Sequence, residues 1–386
     1  MSNPCEMSLL PARPATIAAA AGAGTAAIIV FAVMPVLVGT MAERFSLDDL
    51  QSGLIATAYF STYAIVALAS PLWIRRWNWR RTALAGFSLM LLSLLVTLSA
   101  DDYATAQWSI AAVGIGAGLL FPISLTLASD MVHTERVFAL KLTVEQLVPA
   151  GVLVLISLGW LIGSDMNGLV LAILVVVLVC GTVCFALPSS GSESGEEGSP
   201  HGSVVLGVLA LSALGVSFAG FAGIWVFLER IATDTGFESA FTNRWLAVGL
   251  ITSGLGPLLA ACLGDRFGWI RPILFSITLA LLSIFAFSGE ITRAAYALVL
   301  TVLPMAYYFA ITYIMALVAA ADGNGRMSGL MSFALAVGSA SGPAIFGALR
   351  QQDGPVLLAM SGLIALGTLL TLYVALAIEK SKTQTI

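Results

Sequence analysis

The chain has 386 residues, of which 59% are hydrophobic and only 10% charged, with a mean hydropathy of +0.98 and a formal net charge of −4 at pH 7. A soluble globular domain carries roughly 25% charged residues, so this chain cannot cover itself with polar groups in water and belongs in a lipid bilayer. Its few bases are scattered among connecting segments rather than gathered on one face, which excludes a nucleic-acid-binding protein.

A membrane-spanning helix needs about 20 apolar residues. Twelve such runs follow one another, at 16–40, 51–74, 82–100, 103–129, 137–163, 168–187, 203–228, 243–264, 269–289, 294–320, 327–349 and 356–378. The first is too long for a signal-peptide core and lacks a cleavable small-residue site, so it reads as a retained span. Residues 188–202, rich in Gly, Ser and Glu, have no apolar side chain to bury and read as a flexible acidic linker. The expected organisation is all-α and membrane-integral: a six-helix bundle over 1–187, the linker 188–202, and a second bundle over 203–386 with a short tail. An even number of spans puts both chain ends on one side of the membrane. If that side is cytoplasmic, its loops and tails hold 12 of the 17 basic residues, leaving Arg44, Arg230, Arg244, Arg293 and Arg350 on the other. The bias of basic residues toward inside loops therefore predicts cytoplasmic termini in a cell inner membrane.

A repeat ties the two bundles together. The polar hairpin Ala261-Cys262-Leu263-Gly264-Asp265-Arg266-Phe267-Gly268-Trp269-Ile270-Arg271 has a degenerate copy 190 positions earlier, where Arg76 meets Arg266, Asn78 meets Gly268, Trp79 meets Trp269 and Arg81 meets Arg271. Arg136 and Arg326 share the same offset, and Pro122 and Pro304 lie in corresponding spans. Two related halves with matching proline interruptions suit a carrier with its site between them near the membrane midplane. The hairpin pattern, Gly-x-Leu-Ala-Asp-Arg-x-Gly-x-Arg, resembles the signature loop of the major facilitator superfamily of secondary transporters. Ala261 replaces its first glycine, while Leu263, Asp265, Arg266, Gly268 and Arg271 fit. In the first copy Arg75 stands where Asp265 stands in the second. The resemblance implies twelve helices in two pseudo-symmetric halves and assigns Asp265, Arg266, Gly268, Arg271, Arg75 and Arg81 to latches that hold one access state, lopsided here because the first copy lacks its acid. Drug:proton antiporters of the superfamily usually carry an arginine in the fourth span, where this chain has Ile110.

Charges inside spans are the informative residues, because each costs at least about 2.5–3.5 kcal/mol at helix depth. Lys141 and Glu145 are four apart on one helical face. Lys141, near the cytoplasmic end, is expected to snorkel to water. Glu145, a turn deeper, is read either as a cavity-lining proton carrier or as half of a static ion pair. Glu43 and Glu229, at the outer ends of the first and seventh spans, are candidate gating residues. Tyr59 and Tyr63 share a face of the second span, Phe218, Phe221 and Trp225 a face of the seventh, and Tyr307 and Tyr308 lie in the tenth. These seven aromatics are candidate substrate contacts, although aromatic stripes also serve plain packing. Gly114, Gly116 and Gly118 point to close helix packing, and Pro343 is expected to bend the end of the eleventh span.

No enzyme constellation, cofactor site or metal site is expected. His133 and His201 lie in a loop and in the linker, and Cys180 and Cys184, four apart on one helix, behave as small apolar side chains. The function expected is alternating-access transport of a small amphipathic or aromatic organic molecule by a monomer, with the proton as coupling ion and export favoured over import. Two alternatives stay open: a proton symporter importing an organic acid, with Lys141 as anion partner, and a non-transporting ligand sensor with a transporter fold.

Overall fold

The computed structural model describes residues 13–74, 76–131, 134–158, 165–190, 204–321 and 330–384. The first half comprises α1 (Pro14–Ala32), α2 (Met34–Phe45), α3 (Asp49–Trp73), α4 (Trp79–Leu98), α5 (Tyr103–Ser129), α6 (Thr134–Ser157) and α7 (Met166–Thr182). The second comprises α8 (Val204–Asp234), α9 (Ser239–Leu263), α10 (Ile270–Phe285), α11 (Arg293–Ala321), α12 (Met331–Gln351) and α13 (Val356–Gln384). Among the described residues ten helices are long and apolar enough to cross a bilayer, and α10 is a shorter apolar one.

Three features depart from the sequence expectation. The first span is α1 and α2 in series, because Pro35 has no N–H to offer and the helix is interrupted at Val33 (φ −97°, ψ 9°) before resuming. Cys184 is not on the helix of Cys180 but in a 3₁₀ turn, Val183–Ala186, that follows it. Pro343 lies well inside α12, which runs on to Gln351. Four helix starts precede the apolar runs by two or three residues or begin with them, each set by a polar cap. Asp48 and Gln51 form a reciprocal capping box at α3, while Asn78, Asp102 and Asp165 accept from backbone N–H groups at the starts of α4, α5 and α7.

The repeat extends through the helix boundaries. Pro14, Asp49, Tyr103 and Met166 open helices, and 190 residues later so do Val204, Ser239, Arg293 and Val356. Within the first half α5 is central, packing on α1, α3 and α4; in the second, α8 packs on α12 and α13, and α9 on α11. Among the described residues the halves meet most extensively along three helix pairs: α3 with α12, α6 with α9, and α2 with α8.

Small residues make the closest contacts. A Cβ added at Gly114 would strike the Tyr59 carbonyl, one at Gly116 the Met90 side chain, and one at Gly118 Val66 and the Tyr63 backbone, so Gly114 and Gly118 give α5 a packing face for α3 and Gly116 gives it one for α4. On α12, Gly338 and Gly342 face the backbone of α8, while Gly347 faces the backbone carbonyl of Asp49 on α3. In turn Gly53 of α3 faces the carbonyl of Pro343. Helix α12 is thus wedged between its own half and the other.

Candidate functional site

Lys141 and Glu145 lie on α6 where it packs against α1 of its own half and α9 of the other. The Lys141 ammonium donates to Glu145 Oε1 at 2.5 Å and sits 5.0 Å from the centroid of the Phe121 ring. Lys141 is 0% exposed and Glu145 1%. The expectation that Lys141 reaches back to water is therefore corrected: its acceptor is one turn deeper, and the electron-rich face of Phe121 receives the charge on another side. The Glu145 carboxylate is turned toward α1, where Gly24 has no side chain to oppose it and Ser124 of α5 lies alongside. Ser124 itself donates to the Ala20 carbonyl at 2.6 Å. A Cβ at residue 24 would overlap the carboxylate, so Gly24 is the residue that lets this acid lie between helices.

The next residue, Gln146, faces the other half. Its Oε1 accepts from Ser253 of α9 at 2.9 Å, across the seam. Gln146 and Ser253 also line a narrow void of about 10 Å³ together with Phe31, Phe221, Trp225 and Tyr308, room for about one water. Glu145 does not line this void; a step of about 100° around the helix separates the two side chains.

The predicted aromatics gather round this point. Phe221 stacks on Tyr307 (centroids 4.5 Å, planes 5° apart) and on Trp225 (6.1 Å, 15°), and meets Tyr308 edge-on at 5.7 Å. Phe218 lies 6.0 Å from Tyr307. In the first half Tyr59, Phe60 and Tyr63 pack edge to face, and Tyr63 continues to Phe121. Phe31, absent from the sequence-derived set, joins the two clusters, 5.3 Å from Phe60 and 5.8 Å from Phe218. Two hydroxyls have internal partners: Tyr59 donates to the Ala27 carbonyl at 2.8 Å, and Tyr307 shares a hydrogen with Ser217 at 2.9 Å. The indole of Trp225 donates to the Phe31 carbonyl at 3.4 Å. Phe31 is four residues before Pro35, so its carbonyl is one that the proline leaves without the usual helical donor. The break in the first span and the Trp225 contact are two ends of one arrangement.

On the face away from the linker and chain ends, here the far side, charges cross the seam. Asp49, the first residue of α3, pairs with Arg230 of α8 at 2.7 Å and with Arg350 of α12 at 3.4 Å, and Arg350 also pairs with Asp234. Just inside this network, Thr57 of α3 donates to the Ala340 carbonyl of α12 at 2.8 Å. Glu229 is 8% exposed and accepts from Thr233 at 3.0 Å, and among the described residues it makes no ion pair. Its carboxylate lies against Gly39 of α2, which is also its counterpart under the 190-residue repeat. Glu43 is exposed one turn beyond, and Arg44 is held in its own half by Asn167 and the Ala100 carbonyl. The ion pairs that bridge the seam are thus made by Arg230 and Arg350 on Asp49, and neither Glu43 nor Glu229 takes part in them. Asp49, Asp234 and Arg350 read in sequence as ordinary helix-end charges, and nothing in their local pattern marks them as partners.

On the linker side the two signature loops differ. Arg80 donates twice to the Leu187 carbonyl (2.9 and 3.1 Å) and the Trp79 amide to the Ser189 carbonyl (3.0 Å), fastening the α3–α4 connection to the start of the linker. Arg81 is exposed and its amide is capped by Asn78 at 3.1 Å. In the second loop Gly264 and Gly268 have φ of +53° and +65°, which glycine adopts without strain. The Tyr313 hydroxyl donates to the Gly264 carbonyl at 3.2 Å, and Arg266 and Arg271 are exposed. Arg75 and the side chain of Asp265 lie outside what the structure describes, as do His133 and His201.

Two repeated helical halves packed along a common seam, with ionisable groups buried beside it, define a polytopic carrier for secondary transport. The chain belongs to the Major Facilitator Superfamily, whose family model matches residues 19–343. Among solved structures, the crystal structure of a D-xylose-proton symporter shares the fold with a TM-score of 0.71 at 12% identity, over 92% of this chain and 96% of that one. A sequence search of curated proteins finds no match.

Proposed function

We propose that the chain is a proton-coupled secondary transporter of a small amphipathic or aromatic organic molecule. It would rock residues 1–187 against 203–386 about the linker 188–202, as a monomer in a cell inner membrane with both termini cytoplasmic. The observation that carries this reading is the Lys141–Glu145 pair, buried one residue away from the Gln146–Ser253 contact between halves. A carboxylate so placed exchanges its lysine partner for a proton when the seam opens and water enters. Phe31, Phe221, Trp225 and Tyr308 supply aromatic faces at the same level, with Phe218, Tyr307, Tyr59 and Tyr63 behind them. In the closed arrangement these rings fill the space that cargo takes when they part. The far-side ion pairs, with Glu43 and Glu229 near them, gate one face. Arg75, Arg81, Asp265, Arg266, Gly268 and Arg271 latch the other.

Export is favoured because the region offers one acid and one base among aromatic rings rather than an array of fixed arginines for an anionic cargo. The proton symport named for the structural neighbour supports a second reading, import of an organic acid with Lys141 as its partner.

The test uses purified protein in liposomes enclosing a pH-sensitive dye. A ligand found by thermal-shift screening should drive proton movement, and Glu145→Gln should keep the ligand-induced shift while losing that movement. Unchanged coupling in the variant would reject Glu145 as proton carrier. Ligand binding without counterflow in the wild type would favour a sensor.

A further inference from the structure

The α3–α4 connection is unusually basic: Arg75, Arg76, Arg80 and Arg81 fall within seven residues, with no acid from 74 to 81. The corresponding second-half loop carries Asp265 among its bases. Arg80 is engaged with the Leu187 carbonyl. Arg81 instead lines an open groove of about 370 Å³ with Trp77, Asn78, Thr82, Ala85 and Leu119.

The groove is polar at one end and apolar at the other. Trp77 is 55% exposed and stacks on the buried ring of Trp73 at 5.7 Å, which fixes an indole between the end of the α3 span and the start of the α4 span. Tryptophan at that depth sits among lipid headgroups and ester linkages. Below Arg81 and Asn78 the groove is floored by Ala85 of α4 and Leu119 of α5. Those two helices pack together and continue into the bilayer with exposed Leu92, two turns from Ala85, and Ile115, one turn from Leu119. A free phosphate would leave this apolar furrow exposed, and a neutral amphiphile would leave the excess positive charge unmatched.

We propose that this groove is a binding site for a phospholipid with an anionic headgroup. The phosphate lies on Arg81, the ester region against Trp77, and one acyl chain runs down the furrow between α4 and α5. Basic residues beside a bilayer attract anionic lipid in this way, each contributing about a fivefold change in affinity. The site lies on the outer flank of the first half, away from the seam; Arg81 is also one of the proposed latch residues, so the test reads lipid affinity and not transport.

The test is thermal unfolding of the purified, delipidated full chain in neutral detergent, titrated separately with phosphatidylglycerol, phosphatidylcholine and inorganic phosphate. Phosphatidylglycerol should stabilise at lower concentration than phosphatidylcholine, and inorganic phosphate should have little effect. Arg81→Gln should weaken phosphatidylglycerol about fivefold and leave phosphatidylcholine unchanged, whereas Arg266→Gln in the mirror loop should change neither. Ala85→Trp, which fills the apolar floor without touching a charge, should abolish retention of phosphatidylglycerol in native mass spectrometry. Equal stabilisation by the two lipids, an undiminished preference in Arg81→Gln, full retention in Ala85→Trp, or stabilisation by phosphate alone matching that by phosphatidylglycerol would each overturn the assignment.

Discussion

Each half buries a glutamate near the seam, Glu145 in the first and Glu229 in the second, and the two are held in opposite ways. Glu145 has a full counter-charge, the equally buried Lys141 at 2.5 Å. Glu229 has a hydroxyl from Thr233 and a hole at Gly39, and no ion pair among the described residues. Its sequence neighbour Arg230 turns instead to Asp49 across the seam. A buried pair is costly to split because the partner left behind is an uncompensated buried charge, whereas an acid whose hydrogen-bond partner is a hydroxyl keeps that bond when its carboxyl becomes an amide.

Substitutions at the two sites should therefore diverge. Glu145→Gln leaves the Lys141 ammonium buried without its counter-ion and should lower unfolding stability by about 3–5 kcal/mol. The double variant Lys141→Met with Glu145→Gln should recover most of that loss, as read by thermal unfolding in detergent. If the single and double variants are equally unstable, the pair is not what holds α6 in place.

Gly39→Ala should come next, at about 1–3 kcal/mol for the overlap of its new methyl with the Glu229 carboxylate. Trimming the acid by Glu229→Ala in the same molecule should relieve it, and a double-mutant cycle without coupling would contradict the packing.

Asp49→Asn weakens both cross-seam ion pairs. The side chains involved are partly exposed, so the effect is about 1 kcal/mol or less. It should still appear as up to fivefold faster labelling from the far side of a cysteine placed at Ala58, in a background free of native cysteines. Unchanged labelling would mean that glycine packing alone keeps this side shut. The smallest effect belongs to Glu229→Gln, whose amide still accepts from Thr233. Its stability should stay within about 0.5 kcal/mol of wild type, and a loss comparable to that of Glu145→Gln would erase the contrast.

The legibility of these features from sequence follows the range of the interactions. Helix count and repeat are readable because apolar run length is a local property, and Lys141 and Glu145 are conspicuous because charges are costly in such runs; residues 191–202 of the expected linker lie outside the described residues. Spans ended where expected to within a few residues, except where the chain is locally irregular, as at Pro35, or continues past its apolar segment, as α8 does to Asp234. What could not be read was who meets whom across the seam. Gln146 with Ser253, Trp225 with Phe31 and Asp49 with Arg230 lie 107, 194 and 181 positions apart, and each member alone resembles an ordinary packing or helix-end residue. The fate of Lys141 was missed for the same reason, since the Phe121 ring that receives its charge comes from another helix.

The meeting of Glu229 with Gly39 has a consequence for how the molecule must have diverged from a duplicated ancestor. Helices on a pseudo-twofold axis confront their own images, so an acid gained there in one copy demands an empty place at the same locus in the other. A protein assembled from two second halves would set carboxylate against carboxylate. The asymmetry of this single locus makes the halves non-interchangeable mates.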